Sequence, residues 1–305
     1  MSSARRLNQF WTTQGENNLA FTTVGTFPQL TQSDGSDLWV PNFGGGGTVS
    51  RVRASDGRLL ETWTDADSAG GVLCALGKVF VIGETEPGSL YQIDPSQPAG
   101  SVTTLSSSLG VFPVGIAYDG QRIWTANFDG SVSIITLNPT TVSTVTTGFT
   151  KLRGLIYDGA NMWVTDDLTG SVDKLHRLDS TGNIQLSVDV GSRPEVPTFD
   201  GTNIWVPNNG SNTISVVRAA GSFAGTVLAT LSGNGLNGPA AEAFDGERIL
   251  VTNFTGNSVS LWKASDLTPI VTFSTGASTS PYGACSDGLN FWITFNINVG
   301  KLARF

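Results

Sequence analysis

The stretch "FDGTNIWVPNNGSNTISVV", residues 199–217, contains the pattern that decides the fold. It opens with an Asp-Gly pair, which is followed by a near-continuous apolar run, NIWVPN. A turn rich in Asn and Gly then separates this run from TISVV, in which β-branched residues dominate. The first run is typical of a strand buried on both faces, and the second is typical of an ordinary strand. The stretch therefore predicts a β-hairpin that begins at an Asp-Gly turn.

The same pattern recurs along the whole chain. Six copies keep the Asp-Gly pair, and a seventh, "ALGKVFVIGE" at 75–84, has lost the Asp. The equivalent aromatic or leucine positions lie about 42 residues apart, at Trp39, Phe80, Trp124, Trp163, Trp205, Leu250 and Trp292. Each repeat has four strand-like pieces that grade from buried to polar, which is typical of a propeller blade. The sequence therefore predicts an all-β, seven-bladed β-propeller of four-stranded blades.

The two ends of the chain predict how the ring closes. The last copy stops at Phe305 after its third strand, and "NLAFTTVG" at 18–25 precedes the first blade. We expect this N-terminal segment to supply the outer strand of blade seven. The domain prediction is a propeller over residues 16–305 with an N-terminal arm over residues 1–15. The arm is either a disordered tail or a docking arm for a partner.

Composition and charge limit the classes of partner. The net charge is −8, and the 17 Lys and Arg residues are scattered, whereas nucleic-acid binding needs clustered basic side chains. No apolar run is long enough to span a membrane. Arg5-Arg6 resembles an export signal, but no apolar region follows it. We therefore expect no nucleic acid, no membrane span and no signal peptide, and a chain that is cytoplasmic or assembled into a particle.

The sequence predicts no metal site and no cofactor. Cys74 and Cys285 fit no metal-ligand spacing, and we interpret them as buried free thiols, with one disulfide as the alternative. We interpret the carboxylates of the Asp-Gly pairs as turn chemistry, because Asp caps such turns and Gly adopts positive φ. Five of these residues are Asp119, Asp158, Asp200, Asp245 and Asp287.

The tryptophans divide into two groups. Five occupy one position of the second strand, and burying about 150–250 Å² each at ~25 cal/mol/Å² gives roughly 4–6 kcal/mol gross per residue. A contribution of that size at equivalent sites favours a wedge between neighbouring blades. The remaining three, Trp11, Trp63 and Trp262, break the pattern, and we expect them on contact surfaces.

The candidate binding residues come from two sets of positions. Asn42, Asn127, Asp166, Asn208 and Asn253 end the second strand, which we expect near the propeller axis, at the rim of the channel mouth. They are either turn residues that bond their own hairpins or a polar ring for a ligand. The loops into each first strand vary at Gln29, Gly70, Val114, Arg153, Glu195, Ala240 and Tyr282. Variation within a repeating scaffold is typical of a grafted site, so Arg153, Asp166, Glu195 and Tyr282 are the strongest candidates, with a simple ion-pair cluster as the alternative.

Two segments carry a family resemblance. "ILVTNFTGNSVSLW" at 249–262 and "IWVPNNGSNTISVV" at 204–217 resemble the YVTN β-propeller repeat, over roughly residues 16–305. The resemblance implies a seven-bladed propeller, and such proteins are commonly surface-layer or secreted. The related streptogramin B lyases, as the resemblance implies, use a histidine base and a magnesium ion near the channel. His176, the single histidine, falls in a third-strand segment away from the channel, so that catalytic set does not transfer.

Three functional hypotheses remain. The first is a non-catalytic, rigid binding or scaffolding module, because the scaffold signal is strong and no catalytic set is present. The second is a structural subunit of a larger assembly, such as a virion or tail-fibre component, contacting a protein partner through residues 1–15. The third is a lyase or hydrolase that acts at the channel mouth. What occupies that mouth distinguishes them.

Overall fold

The computed structural model of the chain describes residues 20–168 and 172–305. These residues form seven separate four-stranded antiparallel sheets and contain no helix that could cross a membrane. The first four blades contain β2 (Gln32–Ser33), β3 (Asp37–Asn42), β4 (Thr48–Arg53) and β5 (Leu59–Trp63); β6 (Ala69–Ala75), β7 (Lys78–Gly83), β8 (Gly88–Ile93) and β9 (Thr103–Leu109); β10 (Pro113–Tyr118), β11 (Ile123–Asn127), β12 (Ser131–Thr136) and β13 (Thr141–Val145); and β14 (Leu152–Tyr157), β15 (Met162–Asp166), β16 (Lys174–Leu178) and β17 (Ile184–Asp189).

The remaining three blades have the same order. They contain β18 (Thr198–Phe199), β19 (Asn203–Asn208), β20 (Thr213–Arg218) and β21 (Val227–Leu231); β22 (Pro239–Phe244), β23 (Arg248–Asn253), β24 (Ser258–Lys263) and β25 (Pro269–Ser274); and β26 (Pro281–Ser286), β27 (Phe291–Phe295) and β28 (Lys301–Arg304), with β1 (Ala20–Thr23). The predicted seven-bladed β-propeller is therefore confirmed.

The ring closes at blade seven through the N-terminal strand. Its strand order is β26-β27-β28-β1, and β1 pairs antiparallel with β28 from Ala20 opposite Arg304 to Thr23 opposite Lys301. The outer strand of the last blade thus comes from the start of the chain, as the sequence predicts. The predicted arm over residues 1–15 and Trp11 lie outside the described residues.

The channel is lined by the first strands, and the expectation that the second strands lie nearest the axis is wrong. Each first strand contacts the first strand of the next blade, which completes a ring of seven around the axis. The first strands fit there because their inner residues are small. A Cβ added at Gly154 would lie 2.6 Å from Pro197 Cδ and 2.7 Å from Val196 Cα on the neighbouring blade. The second strands are apolar because blades cover both of their faces.

The five repeated tryptophans are interblade wedges, as predicted. Each is 0–1% exposed. Trp163 of blade four packs with Ile204 and Val206 of blade five, and Trp205 of blade five packs with Ile249 of blade six. The other wedges contact the following blade in the same way.

Two of the irregular tryptophans are also part of the core. Trp63 is 4% exposed and Trp262 is 2% exposed, so the expectation that they form contact surfaces is wrong. Trp63 ends a fourth strand and packs with Trp39 between blades one and two. Trp262 lies in a third strand and packs with Trp205. Trp63 is therefore covered by the following blade, and Trp262 is covered by the preceding one.

Candidate binding face at the channel mouth

The mouth is the end of the channel where second strands finish and first strands begin. In five blades the pairing between these two strands shifts register within the first strand, for example between Leu152 and Leu155 and between Pro281 and Ala284. A β-bulge of this kind re-aims the side chain at the extra residue. We name the seven equivalent positions the inner set: Gln29, Gly70, Val114, Arg153, Glu195, Ala240 and Tyr282.

Two further sets of equivalent residues surround the inner set. The hairpin set follows the end of each second strand: Phe43, Glu84, Phe128, Asp167, Asn209, Phe254 and Asn296. The loop set precedes each first strand: Phe27, Ser68, Phe112, Lys151, Arg193, Gly238 and Ser280. In every blade the backbone N–H of the hairpin residue donates to the carbonyl of the loop residue, over 2.8–3.1 Å. Each blade therefore presents one residue of each set from a fixed backbone.

Blades four and five bring charged residues together at the mouth. Arg153 Nη2 lies 3.1 Å from Asp167 Oδ2, and Arg153 Nη1 lies 3.6 Å from Glu195 Oε1. Arg193 Nε donates to the same Glu195 oxygen over 3.1 Å. Glu195 is only 4% exposed. Burial raises its pKa, and the two guanidinium groups oppose that rise.

Tyr282 and Glu84 join this cluster from blades seven and two. Burial raises the pKa of the Tyr282 phenol, and the charges of Glu195 and Glu84 raise it further, while Arg153 and Arg193 lower it. Glu84 folds over Gly70, where an added Cβ would collide with its carboxyl group. Burial raises the pKa of Glu84 to about 7. The mouth thus holds a carboxyl group whose pKa lies near neutral pH and whose charge acts on the Tyr282 phenol.

Aromatic side chains form the rest of the mouth. Phe27, Phe43, Phe112 and Phe254 are 37–43% exposed, which is unusual for large apolar residues in so rigid a setting. The guanidinium of Arg153 stacks 5.1 Å from the ring centre of Phe128. Phe254 and Tyr282 meet edge to face with ring centres 6.1 Å apart. The aromatic groups come from blades one, three, six and seven.

The predicted asparagine set lies below this surface. Asn42, Asn127, Asn208 and Asn253 are 0% exposed. Their amide groups donate to hydroxyl groups of their own hairpins; Asn208 Nδ2, for example, donates to Thr213 Oγ1 and Ser215 Oγ over 3.1 and 3.0 Å. A glycine of the incoming loop packs on three of them, since a Cβ at Gly25, Gly110 or Gly191 would clash with Asn42, Asn127 or Asn208. This geometry supports the turn-residue interpretation, and a ligand role for these four remains an untested prediction.

Asp166 occupies the asparagine position in blade four and is equally buried. Its carboxyl oxygens accept backbone N–H bonds from Thr150 and Lys151 over 2.7–3.1 Å. His176 Nε2 lies 3.4 Å from Asp166 Oδ2, and His176 Nδ1 lies 2.9 Å from Ser187 Oγ. His176 belongs to β16, a third strand, as the sequence predicts. The structure therefore brings Arg153, Glu195 and Tyr282 together at the mouth and places Asp166 beneath them.

Sequence reasoning did not find Glu84 or the exposed phenylalanines. Their signal is positional: Glu84, Phe43 and Phe254 directly follow the residue that ends a second strand, and Phe27 and Phe112 precede a first strand. The first of these positions varies among blades from Phe to Glu, Asp and Asn, whereas the residue before it repeats. Within the described ranges, no group of three or more His, Cys, Asp or Glu side chains could hold a metal ion. The turn carboxylates are held by their own turns, as Asp200 Oδ1 shows by accepting the N–H groups of Thr202 and Asn203.

These features define a seven-bladed β-propeller with a polar and aromatic channel mouth. No family model matches the chain, and no curated protein matches it. Solved structures do resemble it. A streptogramin B lyase structure has a TM-score of 0.76 at 15% identity, covering 94% of this chain and 97% of that one.

Two further solved structures are similar to the same extent. Hydrazine synthase of Kuenenia stuttgartiensis has a TM-score of 0.76 at 17% identity and covers 93% of this chain and 98% of the other. A catalytically inactive variant of virginiamycin B lyase from Staphylococcus aureus, solved with quinupristin, has a TM-score of 0.75 at 14% identity and covers 94% and 99%. At these identities the likeness shows the fold alone. The likeness in fold to streptogramin B lyases is confirmed, and membership of the YVTN repeat family stays a prediction.

Proposed function

We propose that this chain is a rigid binding module whose protein partner docks on the channel mouth. The observation that carries the proposal is the set of exposed phenylalanines around the Arg153–Glu195–Arg193 cluster. Aromatic residues and Arg are enriched where protein interfaces are buried, and they supply most of the binding free energy there. The charged residues of blades four and five would fix the orientation of the partner.

The scaffold supports a binding role because hydrogen bonds fix the backbone that carries these side chains. The second strands beneath the mouth are fully buried, and the asparagines at their ends tie each hairpin to its own third strand. The Thr165 and Thr252 hydroxyls donate across blades to the carbonyls of Glu195 and Tyr282, over 2.8 and 2.7 Å. Side chains held in place before binding lose little conformational entropy when the partner docks.

A second candidate is a lyase or hydrolase that acts at the same mouth. The specific observation in its favour is Glu84, whose pKa of about 7 suits a general acid or base at neutral pH. Against the enzyme hypothesis, Arg153 already forms ion pairs with Asp167 and Glu195, and Glu195 also pairs with Arg193. A reaction would therefore have to use Glu84 and Tyr282.

Site-specific photocrosslinking tests the binding proposal. A photoreactive phenylalanine analogue replaces Phe43 or Phe254 in the full chain. This variant is expressed in the cells that naturally produce the protein. Phe223, which is 70% exposed on a loop at the opposite end of the blades, is the matched control. We expect one recurring protein adduct from both mouth positions and none from the control position. Adducts absent from both mouth positions, or identical at all three, would overturn the proposal.

Arg193→Ala then separates binding from the alternatives. Its side chain is half exposed, so the variant should fold and lose the adduct formed at Phe254. A turnover screen that finds an activity abolished by Glu84→Gln would favour the enzyme instead. If sizing chromatography shows the chain locked into a large homogeneous assembly, the structural-subunit hypothesis takes precedence.

A further inference from the structure

A cavity of about 370 Å³ lies on the propeller axis, on the side of the Asp-Gly turns. Its size is within the usual range of small-molecule pockets, roughly 300–1,000 Å³. All seven first strands contribute to its wall, from Leu30 in blade one to Cys285 in blade seven. Its surface is about equally polar and apolar, because Thr31, Gln32, Ser33, Thr198 and Ser286 line it together with aliphatic and aromatic side chains. The cavity is separate from the mouth, because its wall contains no residue of the inner, hairpin or loop sets.

Glu242 is the residue that breaks the repeat in this wall. The strand register pairs Glu242 with Val251, as it pairs Leu155 with Val164 in another blade. The equivalent residues in the other six blades are Thr31, Val72, Ile116, Leu155, Pro197 and Ala284, and all of them line the same cavity. Among the described residues of the wall, Glu242 alone carries a carboxyl group. A scaffold built from apolar repeats has no structural use for a carboxyl group here.

The Glu242 carboxyl group has no partner within the described part of the chain. Glu242 is 6% exposed, and both of its carboxyl oxygens are buried without a hydrogen bond. Such groups are rare in folded proteins and call for an explanation, such as a bound ligand or water. The strands packed against β22 carry three ionisable side chains, Arg248, Tyr282 and Cys285. Burial alone raises the pKa of Glu242 well above its usual value.

We propose that the axial cavity binds a small organic ammonium ion, with Glu242 as the counter-charge. The aliphatic and aromatic side chains of the wall would hold the hydrocarbon part. The carboxylate would accept hydrogen bonds from the N–H groups of the cation, and such charged hydrogen bonds are stronger than those between neutral groups. No hydrogen bond holds the carboxyl group, so the side chain can turn toward a ligand without breaking one. Calcium and magnesium fit poorly, because they require several oxygen ligands. This inference does not depend on the function proposed for the mouth.

Isothermal titration calorimetry of the full chain with benzylammonium chloride tests the proposal, with benzyl alcohol as the neutral comparison. We expect benzylammonium to bind roughly tenfold or more tightly than the alcohol. Burial raises the pKa of the Glu242 carboxyl group and a bound cation lowers it, so binding should release protons wherever the free protein holds them. Titration in two buffers of different ionisation enthalpy should therefore reveal proton release on binding.

Glu242→Gln keeps the shape of the side chain and removes its charge. This variant should lose both the preference for the ammonium ion and the proton release. Glu247→Gln, at an exposed neighbouring turn position, is the matched control and should keep both. No binding of benzylammonium up to roughly 10 mM, equal affinity for the alcohol, or unchanged binding by Glu242→Gln would overturn the proposal. If Glu242→Gln fails to fold, two measurements on the wild-type protein still test the proposal. They are the affinity for benzylammonium relative to benzyl alcohol and the number of protons released on binding.

Discussion

The indole Nε1 of Trp205 donates a hydrogen bond to Oδ2 of Asp200 over 2.7 Å. The other oxygen of Asp200 accepts two backbone N–H groups of its own turn. The same contact joins Trp39 to Asp34, Trp124 to Asp119, Trp163 to Asp158 and Trp292 to Asp287, over 2.7–2.8 Å. The Asp-Gly pair therefore caps the turn and also satisfies the one polar atom of the interblade wedge. This double role explains why the two features recur together.

Asp200→Ala should destabilise the protein more than Asp245→Ala. In blade six the wedge is Leu250, and Asp245 instead pairs with Arg248, whose side chain is 22% exposed. Both variants lose their turn bonds, but only Asp200→Ala leaves a buried indole N–H without an acceptor. An unsatisfied buried donor costs about 1–3 kcal/mol, whereas Arg248 can reach water once Asp245 is lost, so its ion pair contributes roughly 0–1 kcal/mol. Guanidinium denaturation measures the difference, and equal losses in the two variants would show that the indole bond contributes nothing.

Gly191→Ala should destabilise blade five. An added Cβ would lie 2.5 Å from Ser211 Oγ and 2.6 Å from Asn208 Cγ, so the buried amide would have to move. Overpacking of this kind costs about 1–3 kcal/mol. Gly100→Ala is the control, because nothing lies within 4 Å of its added Cβ, and it should be close to neutral. Urea denaturation measures both variants; a stable Gly191→Ala would show that Asn208 can move freely.

The scaffold was predictable from the sequence because its physics is local and repeated. An Asp-Gly turn, a doubly buried strand and an Asn-ended hairpin each depend on residues close together in the chain, and seven copies make the pattern plain. The mouth was only partly predictable. Arg153, Glu195 and Tyr282 stood out because they vary within the repeat, but their meeting depends on β-bulges that no motif marks.

Two features of the channel could not be predicted from the sequence, because they depend on how the sheets pack. Because the second strands are apolar, we expected them to lie nearest the propeller axis. The first strands lie there instead, because small residues such as Gly154 allow seven strands to meet around the axis. Glu242 falls within the unremarkable run "PAAEAF", and its significance appears only when the channel wall is seen. Its lack of a hydrogen bond is a property of the packed blades and not of its neighbours in sequence.

Removing β1 should lower the stability of the closed ring. A chain lacking residues 1–23 loses the four residue pairs between β1 and β28, together with the contact of Phe21 with Phe295. Blade seven would then have three strands, and the backbone groups of β28 that now pair with β1 would be uncovered. We expect a melting temperature lowered by about 10 °C or more, or insoluble protein, because an unpaired edge also promotes association. A chain lacking only residues 1–15 keeps β1 and should melt like the full chain.

The stability of the protein should fall as the pH rises from about 4.5 to 7, and Glu84 should account for part of that fall. Burial raises the pKa of Glu84 in the folded protein from 4.5 to about 7. Between these values the folded protein retains a proton that the unfolded chain releases, so rising pH favours the unfolded chain. Above about pH 7 both states are ionised and this contribution is constant.

Glu84→Gln is neutral throughout, so its free energy of unfolding should depend less steeply on pH across this window, with its largest gain over wild type at pH 8. Glu86→Gln, an exposed neighbour that removes the same charge, is the control and should keep the wild-type slope. Glu242 remains in all three proteins, so urea denaturation at pH 5 and pH 8 isolates the contribution of Glu84. If the free energy of unfolding changes equally with pH in wild type and Glu84→Gln, the Glu84 carboxyl group is solvated and the prediction is wrong.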